Sequence, residues 1–249
     1  MITITPEDAI HKAWLYRVLI SIVDNNYLQQ LYFKGGTCAA MCGFLDRFSI
    51  DLDFDYLGDV ENLPKVKQEL RKIFKSLDLG IKDESVNAPQ FFLKYKNKNP
   101  NVRNTLKIDV NFPAPKANEY EPVVLVDIGR VVVCQNKSTM FANKLVAIID
   151  RFERNRSIAG RDIYDIHHFF INGFSYNSKV IIERTTLIPL EFFKKLRIFI
   201  EENINDKILT QDLNALIPYE RFKILRKTLK VETSMFIDEE INRLKKGII

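Results

Sequence analysis

Three cysteines, three histidines and a single tryptophan are all that this 249-residue chain holds of those types. Cys38, Cys42 and Cys134 cannot all pair, which excludes a disulfide scaffold, and no Cys–His spacing matches a zinc site. Cys38 and Cys42, one helical turn apart, read as buried packing. No apolar run approaches the ~20 residues that cross a bilayer, so no membrane partner is expected. The opening Met1-Ile-Thr-Ile-Thr-Pro-Glu-Asp8 lacks a basic stretch followed by an apolar one, so no signal peptide is read there. Internal repeats and low-complexity tracts are absent too. These features together predict a soluble protein of the reducing cytoplasm.

What is present is an ordinary globular composition, 46% hydrophobic and 28% charged, which excludes disorder as the whole answer. The net charge of +5 is unevenly spread: residues 136–249 hold 20 of the 37 Lys+Arg but only 15 of the 32 Asp+Glu. A basic second half favours anionic partners without naming one.

Thr5 as N-cap, Pro6 at the first helical position and Ile10, Trp14, Val18 and Ile22 on one face predict an N-terminal helix. Leu31–Phe33 reads as a short strand running into Lys34-Gly-Gly-Thr37, with a helix from about Cys38 to Leu45. Residues 48–55 alternate strictly and read as a strand, and 64–77 have helical spacing. Further strands are expected at 91–95, 105–112 and 123–127, with 131–134 as another. The stretch 96–104 reads as a hairpin connection. From about Ser138 the pattern is helical throughout. The fold class is therefore α+β: a mixed sheet with flanking helices over 1–137, then an all-helical domain over 138–249.

Three features carry chemistry. In the strand 50–55, Ile50, Leu52 and Phe54 face one way and Asp51, Asp53 and Asp55 the other. Adjacent carboxylates on one face repel unless a cation lies between them, and a hard divalent ion prefers such oxygens. In the strand 106–112, Asp109 lies on the polar face; with the apolar faces of both strands aligned, it joins Asp51 and Asp53 in a site suited to two metal ions and phosphoryl or nucleotidyl transfer. Gly35-Gly36-Thr37 sits between a strand and a helix, where a glycine backbone approaches phosphate closely and Thr37 offers a hydroxyl.

Other polar clusters have plainer readings beside the chemical ones. Asp162 and Asp165 share a helix face and suit a helix N-terminus. Arg151, Arg154, Arg156 and Arg161 either guide nucleic-acid phosphate or pair with those acids. Lys94, Lys96, Lys98, Arg103 and Lys107, interleaved with Tyr95, form either a grip for a single strand or a solvated hairpin. His167 and His168 point in different directions and do not chelate one ion together.

Lys34-Gly-Gly-Thr37 followed by Arg47-Phe-Ser-Ile-Asp-Leu-Asp-Phe54 resembles the opening signature of the AbiEii/AbiGii toxin family, within the nucleotidyltransferase superfamily of the DNA polymerase β type. Lys144-Leu-Val-Ala-Ile-Ile-Asp-Arg151 and Arg161-Asp-Ile-Tyr-Asp-Ile166 are similar to that family's later lysine and R-D-x-x-D motifs. The resemblance covers roughly residues 30–170 and implies a nucleotidyltransferase fold.

On that resemblance, Asp51, Asp53 and Asp109 bind the metal, two Mg²⁺ or alternatively Mn²⁺, and Asp109 activates the attacking hydroxyl. Lys34, Gly35, Gly36, Thr37, Arg47, Ser49 and Lys144 contact the nucleotide. Lys144 and Asp162 or Asp165 complete the catalytic set, and Asp55 is peripheral. The implied activity is metal-dependent transfer of a nucleoside monophosphate from a nucleoside triphosphate to an acceptor hydroxyl, with tRNA as the favoured acceptor. The protein would be the toxin of a toxin–antitoxin pair, with an antitoxin as partner. The alternatives are the same fold acting on a protein or small-molecule hydroxyl, or a catalytically silent module that binds RNA or protein.

Overall fold

The computed structural model describes residues 1–86, 88–97 and 102–247. The chain divides into two compact units, one of Met1–Ala114 with Tyr120–Gln135 and one of Pro115–Glu119 with Asn136–Ile249.

The first unit is a seven-stranded mixed sheet with helices. Its strands are β1 (Leu31–Lys34), β2 (Asp51–Tyr56), β3 (Gly80–Glu84), β4 (Gln90–Lys94), β5 (Thr105–Asn111), β6 (Tyr120–Leu125) and β7 (Arg130–Gln135), in the order β3-β4-β5-β2-β1-β7-β6. β2 runs parallel to β5 and β1 parallel to β7; the other neighbours are antiparallel. β4 and β5 pair antiparallel, while residues 98–101 of the hairpin connection expected over 96–104 lie outside the described residues. Alternation dictates the layers: Leu52 and Phe54 of β2, Leu106, Ile108 and Val110 of β5 and Phe91 and Leu93 of β4 are buried.

Helix α1 (Pro6–Val23) is opened by a Thr5–Asp8 capping box with Pro6 in the first turn. Its buried stripe is His11, Leu15, Val18, Leu19 and Ile22. Of the expected stripe, Val18 and Ile22 are buried, whereas Ile10 is 45% exposed and Trp14 is half-buried. The face is rotated because His11 is drawn inward by two hydrogen bonds. Helix α2 (Gly35–Met41) starts at the glycines themselves, earlier than expected, and α3 (Leu63–Ser76) buries Val66, Leu70, Ile73 and Phe74. β3 was not expected. Four of its five residues are exposed and it pairs only with β4, so it carries no alternating signature.

The second unit is helical among the described residues: α4 (Lys137–Asn155), α5 (Gly160–Ile171), α6 (Ser178–Thr185), α7 (Pro189–Asn203), α8 (Asp206–Leu213) and α9 (Tyr219–Lys245). A cluster of aromatic rings sits among the aliphatic residues of its core. Phe141 packs on Phe169 and Phe170, and Phe170 stacks on Phe236. The segment Pro115–Glu119 is tied into this unit, because the Lys116 and Ala117 amides donate to the Glu183 carboxylate at 2.7 and 2.6 Å. No helix among the described residues is long and apolar enough to cross a membrane.

Candidate active site

In the first unit the parallel register of β2 on β5 sets Asp53 opposite Asp109, with Asp51 opposite Lys107. Side chains of paired residues share a face, so Asp51, Asp53 and Asp109 stand on one side of the sheet, away from the buried Leu52, Ile108 and Val110.

The three acids are compensated unequally. Asp109 Oδ2 accepts from Lys107 Nζ at 2.5 Å and from Gln90 Nε2 at 3.0 Å. The Asp53 carboxylate has no hydrogen-bond or ion-pair partner among the described residues. Its pKa is pushed up to about 6, first by burial and then by the charges of Asp51 and Asp109, against the pull of Lys34 and Lys107. A cation beside it would stabilise its charged form. Hard oxygens on two adjacent strands suit magnesium or manganese, so the residues fit the metal that the family signature implies.

The glycines follow from Asp53. Gly35 adopts φ +82°, and a Cβ there would collide with the Asp53 carboxylate. A Cβ on Gly36 would lie 2.8 Å from Ser49 Oγ and 3.0 Å from Arg47 Nη2. The first turn of α2 therefore lies directly against the acidic strand, with no room for a side chain.

Thr37, Arg47 and Ser49, expected to contact nucleotide, are all buried here and brace this turn. The Thr37 hydroxyl donates to the Asp51 carbonyl at 2.5 Å, pinning the start of α2 to the start of β2. Arg47 Nη1 donates to the Phe48 carbonyl at 2.9 Å. Lys34 points its ammonium at Asp55 Oδ1, 2.5 Å away.

Asp55, read as peripheral to the chemistry, is central to the sheet's polar network. Its side chain is fully buried and accepts from Lys34 Nζ on β1, Asn111 Nδ2 on β5 (3.1 Å), Tyr120 Oη on β6 (2.8 Å) and Gln135 Nε2 on β7 (2.6 Å). Burial alone would raise its pKa, but the Lys34 ammonium and the hydrogen bonds outweigh that and hold it below the usual carboxylate value. One carboxylate thus joins five strands. The sequence signal for it was Asn111, two positions after Asp109 and so on the same face.

His11 is a further residue that sequence reasoning missed. Its Nε2 donates to the Ile50 carbonyl at 2.9 Å, since a carbonyl only accepts, and Nδ1 lies 3.0 Å from the Tyr95 hydroxyl. Burial lowers its pKa to about 4, so it is neutral at pH 7 and fixes the entry to β2. Tyr95, half of the expected single-strand grip, is buried and stacks on Trp14, so it has no face for a base. Lys96 pairs with Asp78 and Lys107 with Asp109, which favours the solvated-hairpin reading.

In the second unit the later motifs form two rungs between α4 and α5. Lys144 Nζ lies 2.7 Å from Asp165 Oδ2, and Arg151 Nε donates to Asp162 Oδ2 at 3.2 Å. Both aspartates are buried. Arg151 therefore pairs with one acid of α5 and Lys144 with another one turn further on.

The family model described as the nucleotidyl transferase AbiEii toxin of type IV toxin–antitoxin systems matches residues 17–227. The chain belongs to the AbiEii family. It is thereby a nucleotidyltransferase of the toxin side of such a system, with a nucleotide substrate and a cognate antitoxin implied. Among curated proteins none matches the chain. Two crystal structures from Helicobacter pylori resemble it in fold at 19% identity. JHP933 has a TM-score of 0.64, with 98% of this chain and 96% of that one covered. A provisionally assigned nucleotidyltransferase has a TM-score of 0.65, with 98% and 99% covered. At that identity the likeness concerns the fold, and it places the AbiEii chain on a nucleotidyltransferase framework.

Proposed function

We propose that this AbiEii-family protein transfers a nucleoside monophosphate from a nucleoside triphosphate to the terminal hydroxyl of tRNA in the cytoplasm, and that this is how it acts as a toxin. The observation that carries the reading is the Asp53–Asp109 register with Asp51 on the same face, packed against a glycine turn that admits no side chain. Asp51, Asp53 and Asp109 would hold two Mg²⁺ ions, or Mn²⁺. When bound, these ions supply Lewis-acid stabilisation of charge on the phosphoryl oxygens.

The remaining chemistry belongs to the chain. An acceptor oxygen attacks the α-phosphorus, the bond to the β-phosphate oxygen breaks, and pyrophosphate leaves. The acceptor's proton passes to a carboxylate, and Asp109 is the one assigned to it. Asp109 is held by Lys107 and Gln90, which orient it; Lys107 also offers a place for negative charge when Asp109 turns to its task. The Gly35–Gly36 backbone is proposed to receive the triphosphate, with Lys34, Thr37, Arg47 and Ser49 fixing that turn. Lys144, with Asp162 and Asp165, enters the proposal as needed for activity on the strength of the later motifs. The excess of cations in residues 136–249 supports an RNA acceptor.

The test is incubation of the protein with each labelled nucleoside triphosphate, Mg²⁺ and total RNA, beside an Asp51→Ala/Asp53→Ala control. Label in tRNA-sized RNA, lost in the control, is the expected result and names the nucleotide as well. Label appearing only in protein or a small molecule would move the acceptor class, and triphosphate that fails to bind would leave a silent module.

A further inference from the structure

All three cysteines of the chain converge. The sulfurs of Cys38 and Cys42, one turn apart at the C-terminal end of α2, and of Cys134 on β7 lie within 4.8 Å of one another. No pattern in the sequence announces this meeting. It arises because β7 runs parallel beside β1, with Cys134 paired to Phe33, and α2 folds back over that pair. Cys38 donates its S–H to the Phe33 carbonyl at 3.4 Å, which fixes its sulfur toward the strand. Cys38 and Cys134 are fully buried, whereas Cys42 is half-exposed and opens the cluster to solvent.

We propose that Cys38, Cys42 and Cys134 form a binding site for one thiophilic d¹⁰ cation of the zinc class, separate from the carboxylate site. Zn–S bonds of about 2.3 Å place tetrahedral sulfurs about 3.8 Å apart, so the observed spacing needs only a rotamer-scale contraction. Three thiolates are soft ligands that exclude magnesium and favour zinc, and solvent on the Cys42 side completes the tetrahedron. An odd sulfur count suits a cation better than a disulfide, which would leave one thiol over. Glu121, opposite Cys134 in register on β6, adds negative charge beside the cluster.

Binding forms three S–metal bonds as three S–H bonds break, and the three thiol protons pass to solvent. A bound cation would then tie the end of α2 to β7. That is the helix whose first turn packs against Asp53.

The experiment titrates the reduced full-length protein with Cd²⁺ and reads the ultraviolet sulfur-to-metal charge-transfer band. The band is expected to saturate at one equivalent, to be displaced by Zn²⁺ and to be unaffected by excess Mg²⁺. Cys42→Ser and Cys134→Ser should each weaken binding at least roughly tenfold. Asp51→Asn/Asp53→Asn should titrate like the wild type, which separates this site from the carboxylates. Zinc should raise the thermal midpoint of the wild type by roughly 5 °C and leave that of Cys42→Ser in place. The proposal is overturned if no saturating band forms while three thiols are chemically titratable. It is equally overturned if a folded Cys134→Ser or Cys42→Ser variant keeps the full band. Cys42, half-exposed at a helix end, is the position whose serine variant is expected to fold normally.

Discussion

Two aspartates of β2 show what neighbourhood does to one residue type. Asp53 and Asp55 stand two positions apart on the same face of one strand. Asp55 meets a lysine ammonium and three neutral donors and is stabilised as a carboxylate. Asp53 meets two other acids and burial, and its pKa rises. The first arrangement is complete and holds strands together. The second has no direct partner among the described residues, and the proposed metal would supply one. One face of a single strand therefore holds a structural anchor and, on the proposed function, a metal ligand.

The largest effect expected from breaking this contrast is catalytic. Asp51→Asn/Asp53→Asn should lower nucleotidyl transfer by at least roughly a thousandfold, measured as label incorporated per unit time, without loss of folded protein. Asp55→Ala should do the reverse. It strands the Lys34 ammonium and three buried or half-buried donors, so chemical denaturation should show a loss of about 3–5 kcal/mol.

Gly35→Ala probes the close approach of α2 to Asp53. The φ of +82° and the collision with the Asp53 carboxylate predict a cost of about 1–3 kcal/mol in unfolding free energy and a loss of activity. Gly43→Ala, also at positive φ but with no atom within reach of the added methyl, should cost less than Gly35→Ala and spare activity.

The smallest effect is in pH. Because the folded pKa of Asp53 is raised to about 6, the folded state holds a proton that the unfolded state has already lost. Its contribution to stability is therefore present at acid pH and falls as pH rises from the ordinary carboxylate value through about 6. Metal affinity should climb over the same window. Denaturation midpoints across pH 4–7 should slope downward with pH in the metal-free wild type, and less so in Asp53→Asn.

Much of this was legible in the sequence for a physical reason. Strict alternation in 50–55 and 106–112 commits each strand to one buried face, so aligning the apolar faces puts Asp109 on the same side as Asp51 and Asp53, and the register that sets it opposite Asp53 comes from the fold. The helix–sheet succession is equally visible in the spacing, and the α+β class follows from it. What escaped depends on partners far away in the chain. The four donors on Asp55 come from four different strands, and nothing local to Asp55 announces them. Cys134 joins Cys38 and Cys42 only through the β1–β7 pairing. β3 carries no alternation because most of it faces solvent, and the inward pull of His11 rotates α1 by a residue. Gly35 and Gly36 read as a turn, yet they are the first turn of α2, a distinction set by how closely Asp53 approaches.

The most direct test of the central claim is thermal unfolding of the wild type and Asp53→Asn, each with and without Mn²⁺. The account predicts a metal-free variant at least as stable as the metal-free wild type, because a repelling charge has gone. It also predicts that Mn²⁺ raises the wild-type midpoint and leaves the variant's where it was. A variant less stable than the wild type, together with no response of the wild type to Mn²⁺, would show that Asp53 is a second structural anchor like Asp55 and not part of a cation site.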